Sequence, residues 1–95
     1  MSYGVAFAAE AEADLAALPP VAASLLLDEI ERLATDPVGL SRKSHFPYLP
    51  GRQLFSTRCT AEGTTYVFTI LFRYGQDEQT IYILQIATQT LGDSG

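Results

Sequence analysis

Residues 66 to 89, YVFTILFRYGQDEQTIYILQIATQ, form two runs of alternating side chains joined by a short polar bend. No other stretch constrains the fold as much. Successive side chains of a strand point to opposite faces, so this alternation specifies a half-buried hairpin. On that parity Phe68, Ile70 and Phe72 share one face, and Tyr82, Leu84 and Ile86 are the matching apolar set. A preceding run, about Arg52 to Thr60, adds Phe55, Thr57 and Cys59 to the same side, which is the predicted core face. The opposite face collects Arg52, Leu54, Ser56 and Arg58, then Val67, Thr69, Leu71 and Arg73. From the last strand it receives Ile81, Ile83, Gln85, Ala87 and Gln89.

Upstream of the meander the pattern changes. Tyr3, Val5 and Phe7 alternate with small residues and predict a first strand. AEAEADLAALPP predicts a helix from about Glu10 to Leu18, with Glu10, Glu12 and Asp14 early, where the helix dipole favours carboxylates. Pro19 and Pro20 stop it, and Pro20 suits the start of a second helix running to about Ala34. In that helix Ala23, Leu26, Leu27, Ile30, Leu33 and Ala34 form the apolar stripe. Asp36-Pro37 ends it, because the residue before proline is pushed out of the helical region. So short a connection predicts antiparallel helices. GLSRKSHFPYLPG is a loop by its Gly, Ser and Pro content, and three strands follow, about Arg52 to Thr60, Thr65 to Tyr74 and Thr80 to Thr88. Gly63 and GQDEQ mark the two turns. The predicted fold is α+β: an N-terminal strand and two helices on one face of a mainly antiparallel four-stranded sheet. It is read as one domain over residues 1–95, with about 90–95 as a frayed tail.

With 95 residues, 47% hydrophobic and 18% charged, the chain has globular composition. No stretch reaches the ~20 apolar residues of a membrane span, so no membrane partner is expected. The start lacks the basic region of a secretory signal, and the lone Cys59 suits a reducing compartment, so a cytoplasmic location is expected. The net charge of −5 opposes nucleic-acid binding if taken as one number. Its distribution is uneven. Residues 1–40 hold seven carboxylates against Arg32 alone, whereas residues 41–74 hold Arg42, Lys43, Arg52, Arg58 and Arg73 against Glu62. Local potential decides what approaches a face, so these five cations are candidate RNA- or anion-binding residues; an ordinary solvated surface is the bland alternative. His45 and Cys59 are the only thiol–imidazole combination, and parity places Cys59 on the core face, where it acts as a small hydrophobe. The scattered carboxylates have no metal-ligand spacing, and neither a metal nor another cofactor is expected. RKSH at 42–45 is a candidate RNA-backbone contact or a plain exposed loop.

The order of elements resembles the RelE/ParE superfamily of toxins from bacterial type II toxin–antitoxin pairs. The resemblance rests on YGVAF at 3–7, AEADLAALP at 11–19, LATDP at 33–37, LPGRQLF at 49–55, and YVFTILFRY and IYILQIA in the last hairpin. It covers Tyr3 to about Gln89 as an ordered set of segments, none of them specific alone. The resemblance implies a cognate antitoxin as partner and a target that meets the open face of the sheet. For RelE-like members that target is messenger RNA in the ribosome, cut by basic or polar side chains of the last three strands. ParE-like members instead inhibit DNA gyrase without a catalytic site. A non-toxic interaction module and a homodimer are further alternatives. Arg58 falls where RelE-like enzymes carry a cation, which makes it the candidate catalytic residue, with Ser56 at another such place. Thr69 stands where the middle strand usually has arginine, and Thr88-Gln89 replaces the usual basic pair. The apolar Leu54, Leu71, Ile81 and Ile83 on the open face predict a surface that an antitoxin segment covers.

Overall fold

The computed structural model describes residues 2–43 and 51–91. In chain order the elements are β1 (Gly4–Phe7), α1 (Ala9–Ala16), α2 (Pro20–Thr35), α3 (Pro37–Leu40), β2 (Arg42–Lys43), β3 (Gln53–Ala61), β4 (Thr64–Tyr74) and β5 (Thr80–Leu91). The strands form one sheet in the order β1-β5-β4-β3-β2. β1 runs parallel to β5 and every other pairing is antiparallel. The N-terminal strand, the helices on one face and the antiparallel meander are as the sequence predicts.

Two departures arise in the segment predicted as a loop. Asp36 ends α2 and also caps α3, its Oδ1 accepting from the Gly39 amide at 3.0 Å. The same Asp-Pro pair therefore stops one helix and starts a single turn of another. Arg42 and Lys43 then pair with Leu54 and Gln53 and add a two-residue edge to the sheet. A third departure concerns the end of the chain. β5 continues through Thr90 and Leu91, paired with Tyr66 and Thr65, where a frayed end was expected. These pairs exist because β4 begins at Thr64 and offers backbone partners that far.

The β3–β4 turn is tight: Ala61 pairs with Thr64, and Glu62 and Gly63 both have positive φ, 53° and 79°. Such a two-residue turn matches the twist of the strands it joins and fixes their register.

The core lies between the sheet and the helices. Phe55, Phe68, Ile70, Phe72 and Ile86 are buried under Leu26, Ile30 and Leu33, as parity predicts. Leu84 is not among them, whereas Ile81 and Ile83, expected on the open face, are fully buried. The cause is a β-bulge. Leu71 pairs with Gln85 and Phe72 with Ile83, so Leu84 is an extra residue without a partner. One extra residue reverses the parity of everything on the far side of it. Ile81 and Ile83 therefore turn inward, and Tyr82 turns to the open face opposite Arg73.

Long-range polar contacts tie the helices down. Asp14 Oδ2 of α1 accepts from the Ile86 amide at 3.0 Å, just beyond the stretch of β5 that β1 covers. In α2, Glu29 accepts from Arg32 Nη2 at 2.8 Å and from the Thr57 hydroxyl of β3. The hydrogen bond from Arg32 is the main reason the Glu29 carboxyl is held below its ordinary value, with Thr57 assisting against the opposing effect of burial. A carboxylate lowered in the folded state stabilises fully above its unfolded value, and that contribution is lost as pH falls through the folded value. Thermal melts taken from neutral pH down to about 3 should therefore show an acid-side loss of stability that Glu29→Gln makes shallower. Identical pH dependence in the two proteins would contradict this assignment.

Candidate functional site

The face of the sheet away from the helices is built by register. Cross-strand partners share a face, so three rows can be read across it. Arg42, Leu54, Leu71 and Gln85 form one row. Ser56, Thr69 and Ala87 form the central one, and Arg58, Val67 and Gln89 the third. Beyond the first row, Arg73 lies opposite Tyr82.

This arrangement sorts the candidate cations. Arg52 immediately precedes β3, one step past the Gln53–Phe72 pair and therefore beside the Arg73 position. Arg42 enters the same end of the face through β2. Arg58 stands apart: its partner Val67 is six residues from Arg73 on β4, roughly 20 Å at ~3.3 Å per residue. The side chain of Lys43 and all of Ser44 and His45 lie outside the described residues, so the RKSH segment is represented by Arg42 alone.

Arg73 is a held charge. Its guanidinium carbon sits 4.6 Å from the centroid of the Tyr82 ring, and Nη1 donates to the Tyr74 carbonyl at 3.4 Å. Stacking on an aromatic face adds roughly 0.5–1 kcal/mol at an exposed site and fixes the plane of the guanidinium. Parity had placed Tyr82 on the core face, so its partnership with Arg73 was missed; the bulge exposes it. Arg58 is exposed, and among the described residues neither it nor Arg42, Arg52 or Arg73 has a carboxylate partner. The single ion pair among the described residues is Arg32–Glu29, on the helix side.

The centre of the face is uncharged, made of hydroxyls, amides and small or aliphatic side chains. Arginine is permanently charged at physiological pH and donates in a fork that fits phosphate, so both ends of this face can bind an anionic backbone. Apart from arginine, the titratable side chain these rows and pairs bring to the face is Tyr82, stacked at the Arg73 end. Cys59 is half-buried on the helix side, where burial, aided by the Glu29 carboxylate, pushes its thiol up. A raised value leaves little thiolate and removes the advantage of a nucleophile. Among the described residues no group of three or more His, Cys, Asp or Glu side chains is placed to hold a metal ion. None of the helices there is long and apolar enough to cross a membrane.

The antiparallel meander, the parallel N-terminal strand and the one-sided helices match the RelE fold. Among solved structures it is similar to the RelBE2 toxin–antitoxin complex of Mycobacterium tuberculosis, at 22% identity and TM-score 0.71, covering 94% of this chain and 100% of that one. It is similar to an arginine-to-alanine double variant of Escherichia coli RelE in the free state, at 9% identity and TM-score 0.65, with 92% and 83% coverage. The RelE–RelB complex of the archaeon Pyrococcus horikoshii matches at 16% identity and TM-score 0.58, covering 90% of this chain and 93% of that one. In sequence comparison, no family model and no curated protein matches the chain.

Proposed function

We propose that this chain is the toxin of a type II toxin–antitoxin pair and that it acts on messenger RNA in the ribosome through the open face of its sheet. The observation that carries the reading is a RelE fold, matched over nearly the whole length, whose helix-free face bears arginines that have no carboxylate partner among the described residues. In such a reaction the ribose 2′-oxygen attacks the neighbouring phosphorus, and the 5′-oxygen leaves. Arg58 stabilises the extra negative charge of the phosphorane, while Arg42, Arg52 and Arg73 hold the backbone at the other end of the face. With no carboxylate, histidine or lysine brought to the described centre of the face, proton transfer falls to water or to ribosomal groups. The chain's own contribution is then positional and electrostatic.

That uncharged centre also favours a second reading, a ParE-like protein that binds gyrase and catalyses nothing. Induced expression separates the two. Mapping of message 5′ ends should show new cuts within translated regions under the first reading, and none together with impaired supercoiling by gyrase under the second. An unaffected culture would remove both and leave an interaction module. In either toxin reading the cognate antitoxin is the partner, and it is expected from the reading frame beside this one.

A further inference from the structure

β5 is longer than the strand it borders on its outer side, and its outer edge falls into three lengths. From Thr80 to Ile83 that edge is paired with β1. At Ile86 the amide donates to Asp14 Oδ2 at 3.0 Å. Past Ile86, among the described residues, no strand pairs with β5 on the side away from β4.

The register says which backbone groups are left there. In an antiparallel ladder, successive residues turn their N–H and C=O groups alternately toward one neighbour and the other. The Ile83 carbonyl faces outward, accepting from Ala8, and after the extra residue of the bulge the Ile86 amide faces outward too. Thr88 and Thr90 share the phase of Ile86, whereas Ala87, Gln89 and Leu91 turn their backbone toward β4. The edge is also undefended. Residues 85–91, QIATQTL, contain no charge and no proline, the usual guards of an open edge. Ala87, Gln89 and Thr90 are exposed, and Leu91 is 43% exposed.

The sequence of this edge selects its occupant. Thr88-Gln89-Thr90 reads the same in both directions. An antiparallel copy centred on Gln89 therefore sets Thr88 opposite Thr90 of the second copy, and Thr90 opposite its Thr88. These are the residues whose backbone groups face outward, so each pair can exchange both of its N–H···O bonds. The side chains agree with that register. Threonine meets threonine on the helix side, a favourable cross-strand pair. On the open face Gln89 meets its own copy at the axis, and the exposed Leu91 lies opposite the small Ala87. The remainder of the second β5 runs away past Leu91, so it does not compete with β1 for the same length of edge.

We propose that β5 pairs with β5 of a second copy of this chain, antiparallel and centred on Gln89, to give a two-fold dimer with one continuous sheet. The two-fold axis stands perpendicular to the sheet, so both open faces lie on the same side. The row of Arg58, Val67 and Gln89 continues into Gln89, Val67 and Arg58 of the second copy. The two Arg58 positions are then five strand spacings apart, roughly 24 Å at ~4.8 Å each. This contact uses neither the arginines nor β1, and it is independent of the toxin reading.

The test is sedimentation equilibrium on the purified chain and on Gln89→Lys, Gln89→Glu and Thr90→Pro, with thermal melts to show that each variant folds. Gln89 is exposed, and the Thr90 amide points away from β4, so proline there removes an edge donor and spares the internal ladder. Wild type should dimerise, and each variant alone should dimerise at least about 10-fold more weakly, because like charges oppose at the axis or a donor is lost. Mixing Gln89→Lys with Gln89→Glu should restore a heterodimer, which only a register that places Gln89 against itself allows. Amide exchange should show Thr88 and Thr90 protected in the dimer and open in the monomer. A wild type that stays monomeric at its highest soluble concentration would overturn the proposal. So would a dimer in which those two amides remain open, or one that the two charged variants form as readily alone as mixed.

Discussion

Arg58→Ala is expected to slow message cleavage by ~100-fold or more, the scale of effect when one preorganised donor to a transition-state charge is removed. The expectation follows from its position. Arg58 is exposed on the open face, in the row of Val67 and Gln89, and the other arginines are too far away to substitute for it. Arg73→Ala should act differently. Its guanidinium is stacked on Tyr82 at the far end of the face, so it contributes to backbone binding, and its effect should shrink as salt rises. Cleavage rates measured at two salt concentrations separate the roles. Equal, salt-sensitive losses for both variants would make Arg58 another binding residue.

The largest stability effect is expected on β5. Ile83→Ala should destabilise by roughly 2–5 kcal/mol, as truncation of a fully buried aliphatic side chain does when it leaves a cavity. Leu84→Ala should cost clearly less, since Leu84 is the half-buried extra residue of the bulge. Urea unfolding of the two variants reads the register directly. The reverse order of effects would mean that β5 continues its alternation without a bulge.

That bulge marks the limit of what was legible in the sequence. Parity placed Phe68, Ile70 and Phe72 correctly because β4 alternates cleanly, with Thr69 and Arg73 on the other side. The run Ile81-Tyr82-Ile83-Leu84 is apolar at every position, so its pattern is compatible with either face. Only pairing with β4 decides it, and pairing is a tertiary property. The error mattered for function. It put Ile81 and Ile83 on the open face as apolar surface for an antitoxin, whereas both are fully buried and only Leu54 and Leu71 of that set remain there. The exposed apolar side chains Val5 and Leu27 lie instead along the groove of β1 and α2.

The helix boundaries were legible within a few residues because Pro20 and Asp36-Pro37 act locally on the backbone. The short α3 and β2 were hidden by the loop-like composition of their segment, so Arg42 could not be assigned to a face beforehand. The carboxylates of α1 read as dipole complements, and for Glu10 and Glu12 in the first turn that suffices. Asp14 has a further task, accepting the Ile86 amide 72 positions away, which no local pattern announces.

The most direct test of the central claim, that the open face of the sheet is the working surface, is growth after induced expression of wild type and of the Arg52→Ala/Arg58→Ala/Arg73→Ala variant, with thermal melts showing both to be folded. Wild type should arrest growth and produce new 5′ ends within translated messages, and the triple variant should do neither. Growth arrest undiminished in the folded triple variant would contradict the account, leaving Arg73 as a stacked surface charge and the open face without a role in toxicity.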